Sequence, residues 1–344
     1  MKTKGLSAKV AISTMAGVAL IIVIIYLAYL SQKEFEQTMV SQTQQQLLTI
    51  AKATARSLEG FITDHAEALK AVSMNPLFQK EVHEKIIHDK PHTEFCPIKN
   101  FYEVHEKDVD ALTLLDVNGV MLHRHPFVGV RPGIDLTDKP DVAYVLREHK
   151  LYISEVFYNN FGNPAISISE PIFYKGDFAG IVRWMIEIDT LSKHFIKPIK
   201  VGKKGYAQML DERGVMLAHP KPQHLGKDIM APRKERFPDY DWSELENIVE
   251  KMTKGEEGVG LYHSAWWTEE KLERVKKLTA YAPVHIGEHL WSIGVSAGYS
   301  EIAGPINRHA WNTSGLAGLV IFLFGAGGVL LFRAEKSKAD LRQR

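Results

Sequence analysis

Leu115–Pro126 reads LDVNGVMLHRHP, and Leu210–Pro220 reads LDERGVMLAHP. Each is a short apolar run, a polar turn holding Gly119 or Gly214, and a second apolar run ending in His-Pro, the pattern of two strands joined by a turn. The first copy is one residue longer just before its His-Pro. A glycine-aspartate turn follows each, Gly133-Ile134-Asp135 in one and Gly226-Lys227-Asp228 in the other. Further along, AISISEPIFYKGDFAGIVRWMI (165–186) corresponds to KLTAYAPVHIGEHLWSIGVS (277–296). Both give a strand running into a proline, Pro171 or Pro283, then a turn and a closing strand (Gly180–Ile186, Leu290–Ser296). An internal repeat of strand, hairpin, helix and hairpin predicts an α+β chain with two small modules built on antiparallel sheets.

Upstream of the repeat the texture is helical. Phe35, Met39, Leu47, Ala51, Ala55, Leu58, Ile62, Leu69 and Val72 follow steps of three and four or their sums, with no proline before Pro76. This predicts a helix over 35–74, about 60 Å long at 1.5 Å per residue, whose apolar stripe is core rather than a cofactor box. Shorter helices are expected at Phe78–Ile87 and Lys99–Glu106, separated by the loop DKPHTEF. His83, His88, His92 and His105 in this region lack the spacing of a zinc site and read as surface histidines.

Two uncharged runs flank everything else. Val10–Leu30 and Ala310–Phe332 are each long enough to cross ~30 Å of hydrocarbon as a helix. The first exits through LAYLSQ, a poor cleavage site, so it reads as an uncleaved anchor. Lys2, Lys4 and Lys9 precede it, and Arg333, Lys336, Lys338, Arg342 and Arg344 follow the second run. By the positive-inside rule both ends are cytoplasmic, and 33–305 lies outside a bacterial inner membrane. Tyr26, Tyr29 and Trp311 suit the outer interface. Small residues Ser13 and Gly17 would permit homodimer contacts between helices.

Composition removes several classes. With 42 basic and 41 acidic residues there is no concentrated basic face for nucleic acid. The single cysteine, Cys96, rules out an intrachain disulfide and a thiolate metal cluster. No P-loop, GxSxG elbow or HExxH is present, and the GAGG segment 325–328 sits inside an apolar span as a helix-packing surface. No cofactor, metal or enzyme activity is expected.

The order of these parts resembles the double-Cache family of extracytoplasmic sensor domains found in bacterial sensor histidine kinases and chemoreceptors. The resemblance covers roughly 33–305. It rests on the long helix, the two D-x-x-G hairpins, the GIDLTDKP segment (133–140), the ISISEPI and AYAPV strands, and the strand leading to the second span. It implies two PAS-like Cache modules: a membrane-distal one over ~107–196 that binds the ligand, and a membrane-proximal one over ~200–300 that relays to the membrane helices.

Family members that bind amino acids carry a YxxxxRxWY-like loop and a later aspartate for the α-amino group, because a zwitterion needs both a cation and an anion. Here the loop reads IDLTDKPDV. Lys139 falls at the arginine, Asp141 and Val142 replace the tryptophan and tyrosine, and Met185 stands where the aspartate is expected. That argues against an α-amino acid. Arg183 shares a strand face with Met185. With Lys139 and with His123 and Arg124 from the preceding hairpin, it makes a set suited to a small anion or carboxylate. Tyr158, Ser167 and Ser169 are further polar candidates, and Trp184 is expected on the opposite face as core against the long helix. The competing assignment pairs Arg183 with Glu170 or Glu187. The alternate histidines His123 and His125 could suggest a metal, but no third ligand is evident. His125 and His219 are more simply hairpin residues set before prolines.

The reading is therefore a membrane-anchored small-molecule sensor. Only RAEKSKADLRQR follows the second span, so output would pass in trans to a separate histidine kinase or chemoreceptor, or to an output domain absent from this sequence. The alternative is a double-anchored periplasmic scaffold for another protein, which predicts a pocket filled with side chains and Arg183 paired internally.

Overall fold

The computed structural model describes residues 2–88, 96–126, 132–267 and 273–341. It opens on helix α1 (Lys2–Ser73). From Leu47 onward α1 buries one stripe, with Leu47, Ala51, Ala55, Leu58, Ile62 and Leu69 all at or below 3% exposure. Steps of three, four and seven keep these side chains on one face. The helix stops where Asn75 begins another: its Oδ1 accepts from the backbone N–H groups of Leu77 and Phe78 at 2.9 and 3.3 Å. Pro76, with no N–H to orphan, opens α2 (Pro76–His88). Helix α3 (Cys96–His105) follows. The DKPHTEF loop and its His92 lie outside the described residues.

Strands β1 (Ala111–Leu115) and β2 (Met121–His125) form the first hairpin, followed by α4 (Pro140–Glu148). Strands β3 (Tyr152–Ile153), β4 (Phe157–Tyr158), β5 (Pro164–Tyr174) and β6 (Asp177–Glu187) complete a sheet of order β2-β1-β6-β5-β3, with β4 also on β5. A short helix α5 (Ile188–Leu191) leads on. The second half repeats the plan with β7 (Lys200–Val201), β8 (Gly205–Asp211), β9 (Met216–Ala218), α6 (Ala231–Arg236), α7 (Ser243–Thr253), β10 (Gly258–Ser264), β11 (Val275–Ile286) and β12 (His289–Gly298). Its order is β10-β11-β12-β8-β7, with β9 on β8. Every pairing in both sheets is antiparallel.

The repeat read from sequence holds down to single hydrogen bonds. Asp116 Oδ1 accepts from the N–H groups of Asn118 and Val120, and Asp211 Oδ1 accepts from those of Arg213 and Val215. Gly119 and Gly214 supply the positive φ that each turn needs, +82° and +78°. Register then fixes equivalences between the sheets. Ser169 lies opposite Arg183, and Tyr281 lies opposite Gly294.

The described chain divides into two compact units, Gln44–Gly298 and a second that joins the first part of α1 to α8 (Ser300–Leu341). Within the second unit, Phe35 stacks on His309 at 4.2 Å, and His309 Nδ1 meets Gln32 Oε1 at 3.0 Å. Both α1 and α8 include stretches long and apolar enough to cross a membrane, none of it buried in protein.

Candidate functional site

The β1–β6–β5 row carries the first candidate site. Strand alternation puts Thr113, Arg124, Arg183 and Ser169 on one face, because Thr113 is directly opposite both Arg124 and Arg183, and Arg183 is opposite Ser169. Over this face opens a cleft of about 590 Å³ including its mouth. Arg124, Lys139 and Arg183 line it together with Tyr158, Phe157, Thr113, Met185 and the Asn159–Phe161 turn.

Arg183 is buried, and its partner is Asp141 in the first turn of α4. Nε donates to Asp141 Oδ2 at 2.6 Å and Nη2 to Oδ1 at 3.4 Å, while Ser169 Oγ donates to Oδ2 at 2.7 Å. Burial alone would raise the Asp141 carboxyl, but Arg183 and Ser169 outweigh it and hold it below its ordinary value. The expected partners are thereby corrected. Glu187 is taken by Asn159 and Asn163, whose amides donate to it at 2.8 and 3.0 Å. Glu170 lies opposite Val182 and so on the other sheet face. Phe157 lies 5.2 Å from the Arg183 guanidinium carbon, a cation–π contact.

Arg124 is half-buried and donates through Nη1 to Pro126 O at 3.2 Å. Burial, with Arg183 close by, lowers its guanidinium from the ordinary value against the opposing pull of Tyr102. Lys139, the residue before α4, pairs with Asp138 at 2.8 Å. Among the described residues, no carboxylate lines the cleft. Its wall is cationic and aromatic.

Of the eight residues singled out from sequence, Arg183, Arg124, Lys139 and Tyr158 meet in this cleft. Asp141, Ser167 and Ser169 do not line it; they are fully buried, where Asp141 and Ser169 complete the polar layer around Arg183. Ser167 Oγ has no hydrogen-bond partner among the described residues. His123 is not brought in. It pairs opposite Leu114, so it occupies the reverse face from its neighbour Arg124, as a period of two requires. His125 shares that reverse face, in edge contact with Tyr102 at 4.8 Å. Trp184 is buried on that face as expected, but the ring it stacks on, at 4.9 Å, is Phe101 of α3 and not a residue of the long helix α1. His219 has the hairpin role read for it, its Nδ1 accepting from Lys221 N–H at 3.0 Å.

Sequence reading missed the Asn159–Phe161 turn, whose signal was the polar run NNFGN before a strand; Asn159 Oδ1 accepts from the N–H groups of Phe161 and Asn163. It also missed a cluster in which ligating atoms of His65, His105 and Asp108 lie within 4.8 Å of one another. There His65 Nδ1 donates to Phe61 O at 2.8 Å, leaving a buried Nε2 with no hydrogen-bond partner among the described residues.

Two antiparallel sheets, the first carrying a cationic cleft, define an α+β fold, and comparison with known proteins gives the family. The double-Cache profile of the Cache domain matches residues 31–306. The chain belongs to that family. Among solved structures, the ligand-binding domain of the Pseudomonas aeruginosa amino acid chemoreceptor PctB, in complex with L-Arg, is 15% identical at a TM-score of 0.53, over 76% of this chain and 97% of that one. A domain of a sensory box/GGDEF family protein from Vibrio parahaemolyticus is 14% identical at a TM-score of 0.56, over 77% and 99%. An extracellular ligand binding receptor from Desulfohalobium retbaense is 15% identical at 0.51 over 74% of this chain, which spans 40% of that receptor's length. No curated protein sequence matches.

Proposed function

We propose that this protein is a membrane-anchored extracytoplasmic sensor whose first half, the distal module at ~107–196, binds a small anion or carboxylate in the cleft over Arg183. The observation that carries this reading is the lining: three cations and no carboxylate among the described residues. Arg183 spends Nε and Nη2 on Asp141, so the donors a ligand carboxylate would meet come chiefly from Arg124 and Lys139 in the same lining. An α-amino acid, as PctB holds, fits less well, because the one buried acid at hand, Asp141, is already committed to Arg183 and Ser169.

In this reading residues 10–30 and 310–332 span the bacterial inner membrane, and the proximal module at ~200–300 relays the signal. Tyr158 suits such a relay, since it lines the cleft and also a second one formed with Asp211, Arg213 and Gly226 of the second half. Ligand closure would bias the two membrane helices only by binding one arrangement better than the other. The output would be a separate histidine kinase or chemoreceptor, or a domain absent from this sequence.

The test is thermal unfolding of the full chain in lipid nanodiscs against acetate, succinate, phosphate and L-arginine. A saturable rise with an anion, lost in Arg124→Ala, is expected. No rise with any of them would favour the scaffold reading, which the internal Arg183–Asp141 pair supports on its own account.

A further inference from the structure

The second sheet has the same face as the first, and what stands on it is different. Lys277, 1% exposed in β11, lies opposite Tyr262. Its Nζ donates to Ala265 O at 2.6 Å and sits 3.9 Å from the centre of a Trp266 ring. Arg233, 5% exposed in the first turn of α6, donates through Nη1 to Ile229 O and lies 5.0 Å over a Trp267 ring. Its Nε has no hydrogen-bond partner among the described residues. His224, similarly enclosed, has an Nε2 without a partner among them, and its ring is 4.8 Å from His219 and 5.4 Å from Trp267. Tyr206 closes the ring of contacts, 5.7 Å from Trp266 and hydrogen-bonded through its hydroxyl to His219 Nε2 at 3.2 Å.

Two buried basic side chains and an imidazole nitrogen without a partner among the described residues thus share an aromatic cage. No ion pair joins Arg233 or Lys277 to a carboxylate among the described residues. The acid that bears on Arg233 is Asp228, which is exposed and occupied in capping the N–H groups of Met230 and Ala231. A buried charge without a counter-charge is among the most costly arrangements a protein can hold. A cage in which Arg233 Nε and His224 Nε2 lack partners among the described residues, with walls of tryptophan and tyrosine, is complementary to an anion with an apolar body.

We propose that Arg233, Lys277 and His224 form a second ligand site, separate from the cleft over Arg183, which takes a small organic carboxylate. Arg233 and Lys277 hold the carboxylate, and Trp266, Trp267 and Tyr206 flank its apolar part. Zwitterionic amino acids fit less well, since their ammonium would face Arg233 and Lys277 with no acid among the described residues to receive it.

The protonation states agree with this assignment. Burial, then Arg233, pushes the Lys277 ammonium well down from its ordinary value, and burial, then Arg233, lowers His224. Burial, then His224 and Arg233, takes His219 down to about 3. The titratable groups facing Lys277 are Arg233 on α6, Tyr206 on β8 and Tyr262 on β10; those facing His224 are His219, Arg233, Lys221 and Lys227. A bound carboxylate reverses the penalty on Lys277 and His224, so binding takes up protons and tightens as pH falls.

The experiment uses the full chain in nanodiscs, with Arg124→Ala as background so that the cleft over Arg183 does not answer for the cage. Benzoate is the probe, followed by calorimetry, tryptophan fluorescence and thermal unfolding, with benzylamine as the cation of the same shape. Expected is saturable benzoate binding with proton uptake, read in two amine buffers of different ionisation heat, and none for benzylamine. Arg233→Met should weaken benzoate at least tenfold and raise the unfolding temperature of the ligand-free protein, because it removes an uncompensated charge. Lys277→Met gives a second handle with the same expected loss. The proposal is overturned if benzoate, acetate and phosphate all leave the Arg124→Ala protein unchanged, or if benzoate binds Arg233→Met and Lys277→Met as it binds the parent. Binding lost in Arg124→Ala but kept in Arg233→Met would overturn it too, and would assign the ligand to the cleft over Arg183.

Discussion

After the glycine-aspartate turn of each half, a short helix carries a proline in its first turn, and the residue after that proline is charged and buried: Asp141 after Pro140, Arg233 after Pro232. The first charge is answered by Arg183 from β6. The position equivalent to Arg183 in the second half is Gly294, so among the described residues Arg233 has no such answer, and a nearby buried residue is another basic one, Lys277. On the reverse faces the contrast runs the other way. Glu170 is buried in the first sheet at the place that Ala282 occupies in the second. One backbone plan therefore hosts two different electrostatic arrangements: a buried charge paired within the protein, and buried basic groups with no carboxylate partner among the described residues.

Removing the balance in the first half should cost most. Asp141→Ala strands a buried guanidinium and is expected to destabilise by roughly 3–5 kcal/mol in urea unfolding, with most of the loss recovered in Asp141→Ala/Arg183→Met. A small effect of the single substitution would show that water already compensates Arg183, and the contrast with Arg233 would collapse. Because the Asp141 carboxyl is held low, its contribution is complete above the ordinary carboxylate range and is lost as pH falls through its folded value.

Glu170 gives the next largest effect, of opposite sign. Burial pushes its carboxyl up to about 7, against the pull of Lys70, and its Oε2 lacks a partner among the described residues. The folded protein therefore holds that proton more tightly than the unfolded chain. Stability should fall as pH rises from the ordinary glutamate range through about 7. The loss over that interval is about 3 kcal/mol, because each pH unit in which the folded chain keeps a proton that the unfolded chain has released is worth roughly 1.4 kcal/mol. Glu170→Gln should flatten that slope, and Ala282→Ser, at the matching place in the second sheet, should leave it untouched.

Arg233→Met sharpens the comparison from the other side, with a gain of about 1–4 kcal/mol expected in the ligand-free protein, as when apolar residues replace buried ions elsewhere. A loss instead would mean that Arg233 is already compensated. The smallest effect belongs to the surface. Lys52 and Glu257 pair at 2.7 Å in the open, and Lys52→Ala should change stability by less than about 1 kcal/mol.

Sequence alone determined the parts whose physics is local. The D-x-x-G hairpins were legible because an aspartate and a glycine three residues apart make the turn by themselves. The stripe along α1 and the two apolar spans were legible because periodicity and length are properties of a single segment. Alternation also put Arg183 and Met185 on one face of their strand, where both line the cleft. It equally determined that His123 could not share a face with Arg124, although adjacency and charge group the two together.

Tertiary structure decided what the charges mean. Asp141 and Arg183 are 42 residues apart, and nothing near either one names the other. The cage around Lys277 gathers residues from β8, the turn after β9, α6, β10 and β11, and its character lies in what is missing among the described residues, a carboxylate. A charge in a sequence carries no record of its surroundings, and desolvation, which sets its energetic consequence, exists only once the chain has folded around it.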